Sequence, residues 1–306
     1  MRGRCHAAPV MIAKLEMLIA LAHERHFGRA ADSLGVTQPT LSAGIKQLEA
    51  QLGVKLVHRG SRFGGLTPEG QRALVWARQI VGDARRLRDE MQARRTGLAG
   101  HLRLAVIPTA LTWASHLAHS YHRRHPNVDF TILSRNSAEI LTLMEDLEID
   151  AGLSYLDNEP LGRVTTRLLY RERYVLLCRR DHPLAGATRL DWGDLGETRL
   201  CLLTPDMQNR RIINRHFVEA GLAPRAAAVS NSTVVLVSHV VAGGWATILP
   251  ADHAQFLAEG RDLAQVPLGA QEGGHAVGLV APFQEPHTPV LEALLSVADG
   301  LGPPDR

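Results

Sequence analysis

Along the first hundred positions apolar residues recur every three or four places, the period of a helix with one buried side. The stretch IAKLEMLIALAHER, residues 12–25, puts Leu15, Leu18 and Ala22 on one side of a first helix. Ala30, Ala31 and Leu34 mark a short second one, and Leu41, Ile45 and Leu48 a third. Between these two lies GVTQP. Gly35 frees the chain to end one helix, Thr37 can N-cap the next, and Pro39 sits in its first turn, where a missing N–H costs nothing. The period then breaks. VKLVHRGSRFGGLT offers two short β-prone pieces around a Gly-Ser-Arg tip, which predicts a hairpin. Thr67-Pro68-Glu69-Gly70 starts a fourth helix that nothing interrupts before about Arg95. Leu74, Val75, Ala77, Ile80, Val81, Ala84, Leu87 and Met91 recur along it at helical spacing. At 1.5 Å per residue such a helix is roughly 40 Å long, and an antiparallel copy from a second chain would cover its stripe. Gly97 and Gly100 then form a hinge.

From His101 strand-like and helix-like segments alternate: LRLAVI, a helix over about 110–125, VDFTIL, the helix NSAEILTLMEDLEI, and DAGLSY. RYVLLCRR, TRLCLLT, AAAVSN, WATILP and AVGLVAP read as further strands, with helices near 209–220, 232–243 and 288–300. This order predicts a mostly parallel sheet with helices on both faces, in two lobes with a cleft between them. The expected fold class is α/β: an N-terminal winged helix-turn-helix, a long linker helix and a two-lobed α/β domain.

Charge sharpens the division. Net charge is only +3, but residues 1–100 hold 16 Lys and Arg against 8 Asp and Glu, and the remainder 18 against 23. A basic head on an acidic body is the footprint of a polyanion-binding module attached to something with another task. The outward face of the third helix carries Gln38, Thr40, Ser42, Lys46 and Gln47, groups able to meet base edges and phosphates in a major groove. A helical hairpin with a merely solvated face is the plainer alternative. The hairpin after it adds Lys55, Arg59 and Arg62, of the same sign, and favours a wing on duplex DNA.

Other chemistry recedes. His116, His119, His122 and His125 repeat every three residues, a spacing that drifts around a helix and leaves a metal site incomplete. Cys5, Cys178 and Cys201 are too scattered for a disulfide framework, which suits a reducing cytoplasm, and the latter two sit in apolar strands as structural thiols. The sequence has no HExxH, phosphate-binding loop or nucleophile elbow, and no apolar run of membrane-spanning length. No catalytic residues, metal, cofactor or membrane attachment are expected.

GRAADSLGVTQPTLSAGIKQLEAQLGVKLVHR followed by LTPEG resembles the DNA-binding head of the LysR-type transcriptional regulators. DHPLAG at 181–186 and SNSTVVLVSHVVAGGWATILP at 230–250 fit the same family. The resemblance covers nearly the whole chain. It implies a DNA-binding domain over 11–66, a linker and dimerisation helix over 67–97, and a periplasmic-binding-protein-like effector domain over 98–306. Lobe I would take about 98–166 and 268–302, and lobe II about 167–267. Residues 1–10 precede the usual family start, as a disordered extension or because translation starts at Met11. DNA contacts carry over to Gln38, Pro39, Thr40, Ser42 and Lys46, with Thr37 at the cap and Lys55, Arg59 and Arg62 on the wing. Ala43 stands where the family often has a long polar or basic residue, so one contact is missing.

In bilobed α/β domains ligands bind at the carboxyl ends of strands beside helix N-termini. Thr109 and Ala110 open a helix after the first strand, and Asn136 and Ser137 after the second. Thr204 follows LCLL, and Ser232 precedes a helix in the other lobe. Each is also a plain N-cap candidate, but all match positions the family uses for effectors. Helix N-termini and hydroxyls favour negative charge, which points to a small anion, a carboxylate. One of Arg210, Arg211 or Arg215 in LCLLTPDMQNRRIINRHF could pair with it, though a solvated helix face is the plainer reading. The stretch resembles regulators associated with formate dehydrogenase genes, which implies a small carboxylate such as formate. The expectation is a cytoplasmic, non-enzymatic, effector-responsive regulator of promoters, binding double-stranded DNA as a homodimer or homotetramer. The alternatives are an α/β enzyme or solute-binding protein with an incidental helical hairpin, and an architectural DNA-binding protein without an effector.

Overall fold

The computed structural model describes residues 7–58, 63–223, 225–269, 273–283 and 285–302. The chain divides into two compact units: Met1–Gly97 together with Glu145–Glu148, and Leu98–Met144 together with Ile149–Arg306.

The first unit is built from α1 (Ala7–Glu24), α2 (Phe27–Ser33), α3 (Gln38–Leu52) and α4 (Pro68–Thr96). Helix α1 begins five residues before the expected start, so part of the stretch expected as an extension is helical. Leu15, Leu18, Leu21, Ala30, Ala31, Leu41, Ile45 and Leu48 close one core, joined by Ala77 and Val81 of α4. Gly44 lets Met17 of α1 come against α3: a Cβ there would lie 2.3 Å from the Met17 sulfur. Thr67 ties wing to helix, accepting from Gly70 N at 2.9 Å and donating to Lys55 O at 2.6 Å. Val57 and Leu66 pair antiparallel at the base of the expected hairpin. Its tip, with Arg59 and Arg62, lies outside the described residues.

The 29-residue α4 has two apolar faces. Leu74, Ala77 and Val81 turn toward the unit's own core, whereas Val75, Trp76, Ile80, Leu87 and Met91 are exposed. The single stripe expected from sequence is therefore two, and Leu74 belongs to the inner one.

The second unit holds two lobes. In the first, β1 (Gly100–Val106), β2 (Val128–Ser134), β3 (Ala151–Tyr155), β4 (Val164–Glu172) and β10 (His275–Pro282) form one sheet in the order β2-β1-β3-β10-β4. Strand β1 pairs parallel with β2 and β3, but β10 is antiparallel to β3 and β4, so the sheet is mixed rather than mostly parallel. Helices α5 (Leu111–His122), α6 (Ser137–Glu145) and α10 (Pro289–Asp299) belong to this lobe. A 3-10 turn, Pro108–Ala110, precedes α5, which stops three residues short of the expected 125. In the second lobe β5 (Tyr174–Arg179) lies antiparallel between β8 (Thr247–Pro250) and β9 (Leu263–Pro267). Strands β6 (Leu200–Leu203) and β7 (Ala226–Ser230) pair in parallel, and Cys201 N donates to Ala246 O at 2.9 Å to link them to the others. Helices α7 (Gln208–Glu219), α8 (Thr233–Ala242) and α9 (Ala251–Ala258) complete the lobe.

Strands β4 and β9 and helix α9 were not expected from the sequence pattern. VTTRLLYRE shows no regular alternation because β4 is an edge strand, half exposed, whose pairing with β10 shifts register opposite Val277 and Gly278 before ending at Glu172. The passage into the second lobe therefore falls at Arg173 rather than near 166.

Candidate functional site

Two sets of residues stand out, one in each unit, and they are built in opposite ways.

On the first unit the candidates are at the surface. Thr37 caps α3, accepting from Thr40 N at 3.4 Å, and its Oγ1 lies 2.9 Å from that of Thr40. Thr37, Gln38, Pro39, Thr40 and Lys46 are exposed and Ser42 is half-buried. The opposite side of the helix, Leu41, Ile45 and Leu48, is in the core, and this fixes which side faces out. Lys55 is differently placed: its Nζ lies 2.9 Å from Glu49 Oε2. Glu49 also accepts from Leu56 N at 2.9 Å and Val57 N at 3.3 Å. Burial opposes its charge, but Lys55 and the two backbone donors outweigh it and hold the carboxyl below its ordinary range. Lys55 thus has an internal partner, whereas Lys46 and Gln38 have no side-chain partner among the described residues.

In the second unit three of the six candidates, Thr109, Asn136 and Ser137, come together between the lobes. Ile107, Pro108 and Thr109 at the end of β1, Asn136 and Ser137 at the start of α6, and Tyr155 at the end of β3 form one wall of a narrow recess of about 10 Å³, room for about one water. Leu203, Met207, Gln208 and Asn209 of the second lobe form the other wall. Four of these residues carry polar groups in places where apolar ones are usual. Thr109 is 2% exposed, Ser137 5%, Gln208 3% and Asn209 3%. Thr109 Oγ1, Ser137 Oγ, Gln208 Oε1 and Asn209 Oδ1 are buried atoms without a protein hydrogen bond. Buried polar groups are nearly always paired, so such a concentration marks a place for a ligand or ordered water.

The other ends of the two amides are held. Gln208 Nε2 donates to Asp157 O at 3.2 Å, and Asn209 Nδ2 donates to Tyr155 Oη at 3.0 Å. Tyr155 in turn donates to Glu172, which also accepts from Tyr170 at 3.1 Å. Glu172 is fully buried, and burial lifts its pKa to about 7 against the opposing hydrogen bonds of Tyr155 and Tyr170. The Thr109 hydroxyl lies close enough to lower that value without reaching good hydrogen-bond geometry.

A wider, more open space of about 450 Å³ adjoins, lined by Ser134, Arg135, Asn136, Glu139, Asp206, Ser232 and their neighbours. Asn136 and Glu139 form the expected capping box, at 3.1 and 2.9 Å, and Asn136 Nδ2 reaches across to Asp206 Oδ2 at 3.3 Å. Neither space is lined by Ala110 or Thr204. Ala110 is fully buried, and Thr204 lies beside Asp206, whose carboxyl it helps hold below its ordinary pKa.

The three arginines of α7 are already engaged. Arg211 makes a bidentate pair with Glu159 at 2.6 and 2.7 Å, Arg210 donates to Leu203 O and Asn214, and Arg215 donates to Asn158. Sequence reasoning weighed one of these arginines against a solvated helix face, and it passed over Gln208 and Asn209. The available signal was a helix that begins on two amides directly after a loop, with Met207 where a capping residue normally stands. Among the described residues no group of His, Cys, Asp and Glu is placed to hold a metal, and no helix is long and apolar enough to cross a membrane.

The chain matches two family descriptions: "Bacterial regulatory helix-turn-helix protein, lysR family" over residues 12–71, and "LysR substrate binding domain" over residues 95–300. It is 28% identical to the DNA-binding transcriptional dual regulator OxyR of Escherichia coli K12, covering 94% of this chain and 96% of that protein. It is 32% identical to a probable hydrogen peroxide-inducible genes activator of Mycobacterium avium, covering 88% and 87%. Among solved structures, a full-length OxyR from Pseudomonas aeruginosa with a cysteine replaced by aspartate aligns with a TM-score of 0.71 at 27% identity over 94% of both chains. CbnR complexed with its target DNA shares the fold, with a TM-score of 0.61 at 22% identity over 94% of this chain and 98% of that one. The chain belongs to the LysR family of transcriptional regulators, which bind DNA and an effector, form oligomers and are not enzymes.

Proposed function

We propose that the outer face of α3 reads duplex DNA, that the exposed stripe of α4 joins two chains, and that a small polar effector in the interlobe recess sets the regulator's state. The observation that carries the effector site is the ring of buried, unpaired polar atoms, two residues from each lobe. A ligand touching both walls favours one lobe arrangement through its differential affinity for the two states. Gln38, Pro39, Thr40, Ser42 and Lys46 are the proposed DNA contacts, with Thr37 positioning them as the cap. Asn136, Thr109 and Ser137 are kept as effector residues, Ser232 is assigned to the outer space, and Gln208 and Asn209 are added. DNA binding places the regulator's work in the cytoplasm. The expected small carboxylate would find hydroxyl donors here, but it would also face two carbonyl oxygens, and the relatives' names give formate no support.

The names of the relatives raise a second reading, a response to hydrogen peroxide. A thiol-based response needs an accessible thiolate. Cys178 and Cys201 are buried in strands, burial pushes both thiols up to about 11, and neither lines the recess. The chemistry of these two residues therefore favours reversible binding over oxidation.

The test is fluorescence anisotropy on duplex DNA from upstream of the gene, titrated with and without a panel of small metabolites. We expect one class of small polar metabolite to shift the binding curve, and Ser137→Ala to abolish the shift while leaving effector-free DNA affinity unchanged. A regulator whose DNA binding ignores every metabolite, or whose response survives Ser137→Ala, would refute the assignment.

A further inference from the structure

The unpaired atoms of the recess are not all of one kind, and their mixture constrains the ligand. Gln208 Nε2 is committed to Asp157 O, a group that can only accept, so the amide's orientation is fixed and its Oε1 faces the recess as an acceptor. Asn209 is held in the same sense. Tyr155 donates its hydrogen bond to Glu172, so Tyr155 Oη accepts from Asn209 Nδ2 and leaves Asn209 Oδ1 unpaired. On the facing wall Thr109 and Ser137 supply hydroxyls, which donate or accept as required. The first turn of α7 has no side-chain cap, so its leading N–H groups are donors as well. A ligand lying between these walls must accept from one set and donate to the other.

A carboxylate meets only half of this. It has no donor for Gln208 Oε1 or Asn209 Oδ1, and its charge would sit against their partial negative charge in a buried site. The approach is no more favourable, because the adjoining space offers Arg135 against the two carboxylates Glu139 and Asp206. The Arg135 guanidinium also donates to Ser134 O at 2.8 Å, and Arg211 is paired with Glu159. As it stands the recess has about 10 Å³, room for about one water. A ligand of three heavy atoms therefore enters only as the two walls part, and it gains only if it reproduces the bonds of the water it displaces.

Resting on the assignment of this recess as the effector site, we propose that the effector is a small uncharged molecule with both a hydrogen-bond acceptor and an N–H or O–H donor, its donor bonded to Gln208 Oε1. Formamide and formate test this directly, since they match in size and differ by an NH₂ in place of an O⁻. Three heavy atoms limit either to about millimolar affinity at best, so saturation-transfer NMR on the formyl proton, with the full-length protein, is the suitable measurement. We expect transfer to formamide and none to formate. Gln208→Met, which keeps the bulk and removes the acceptor, should abolish it, and Thr109→Val should weaken it several-fold. Equal or stronger transfer to formate, transfer to neither compound, or formamide binding that survives Gln208→Met in a folded protein would overturn the proposal. Formate transfer that is lost in Thr109→Val and Ser137→Ala would show the recess to be the site and only the ligand class to be wrong. Transfer to either compound that ignores all three substitutions would remove the site assignment itself.

Discussion

In the proposed function helices α3 and α7 each present their first turn to a partner, and they prepare it differently. Thr37 caps α3, and the residues after it, Gln38, Pro39 and Thr40, are exposed. No side chain caps α7, and Gln208, Asn209 and Arg210 behind Met207 are buried. A capped, exposed start costs the fold nothing when its partner is absent, because water serves the remaining groups. A bare, buried start leaves N–H groups and amide oxygens whose desolvation is offset only when something polar occupies the recess. On this reading a long, polyanionic partner would meet a surface already complete, and a small partner a site left incomplete. DNA affinity should therefore be lost by altering what is exposed, and effector response by altering what is buried.

The largest expected effect tests the first half. Trp76 and Leu87 are each 63% exposed on α4, on the face turned away from the unit's own core. If this face joins two chains, Trp76→Glu or Leu87→Glu buries an unpaired charge and splits the dimer. Losing simultaneous engagement of two half-sites lowers DNA affinity about 100-fold or more. Sedimentation and anisotropy read the two effects together, and an intact dimer in both variants would move the interface elsewhere. Leu74→Glu should instead damage the head itself, since Leu74 packs on its core.

The next prediction concerns the buried half. Glu172, raised to about 7 from an ordinary 4.5, holds its proton in the folded protein over a range where the unfolded chain has lost it. The folded state binds more protons there, so this group's contribution to stability is present below about pH 4.5 and is lost as pH rises through about 7. The loss is on the order of 3 kcal/mol. Glu172→Gln cannot ionise, and the difference in melting temperature between the two proteins should grow in its favour from pH 5 to pH 8. A constant difference would mean that Glu172 is ionised throughout.

Smaller again is the loss of one exposed contact. Gln38→Ala should cost about 1–3 kcal/mol at a single base pair and relax preference there, while Lys46→Ala should weaken all sequences alike and flatten the salt dependence by about 0.9. Competition binding with point-substituted operators separates the two. Identical profiles for both variants would place Gln38 on a phosphate.

The exposed half was the more legible in sequence. Thr37, Gln38 and Lys46 can be assigned to a surface because Leu41, Ile45 and Leu48 fix the opposite side by period alone. The recess is different, since its walls come from residues some 100 positions apart, and no local period states that Thr109 and Gln208 will face each other. Rules for helix starts found Thr109, Asn136 and Ser137, but the same rules passed over the first turn of α7 as a site, since it lacks the capping residue they look for. Edge strand β4 was hidden because it does not alternate: it is half exposed, and its pairing with β10 shifts register midway.

The smallest effect discriminates best between a ligand group and a structural one. Thr109 sits 2% exposed at the foot of the recess, and its hydroxyl makes no well-formed protein hydrogen bond. Thr109→Val keeps the shape and removes the hydroxyl. Because no protein bond of good geometry is lost, the melting temperature without effector should barely move, and the two extra apolar hydrogens would even suit the burial. An effector bonded to that hydroxyl should bind about 0.5–1.5 kcal/mol more weakly, the net worth of one ordinary hydrogen bond. DNA affinity without effector should be unchanged, since α3 and α4 lie in the other unit. The outcome that would sink this is a clear drop in melting temperature with effector affinity intact. The Thr109 hydroxyl would then serve to support Glu172, and the recess would hold its ligand through Ser137 and α7 alone.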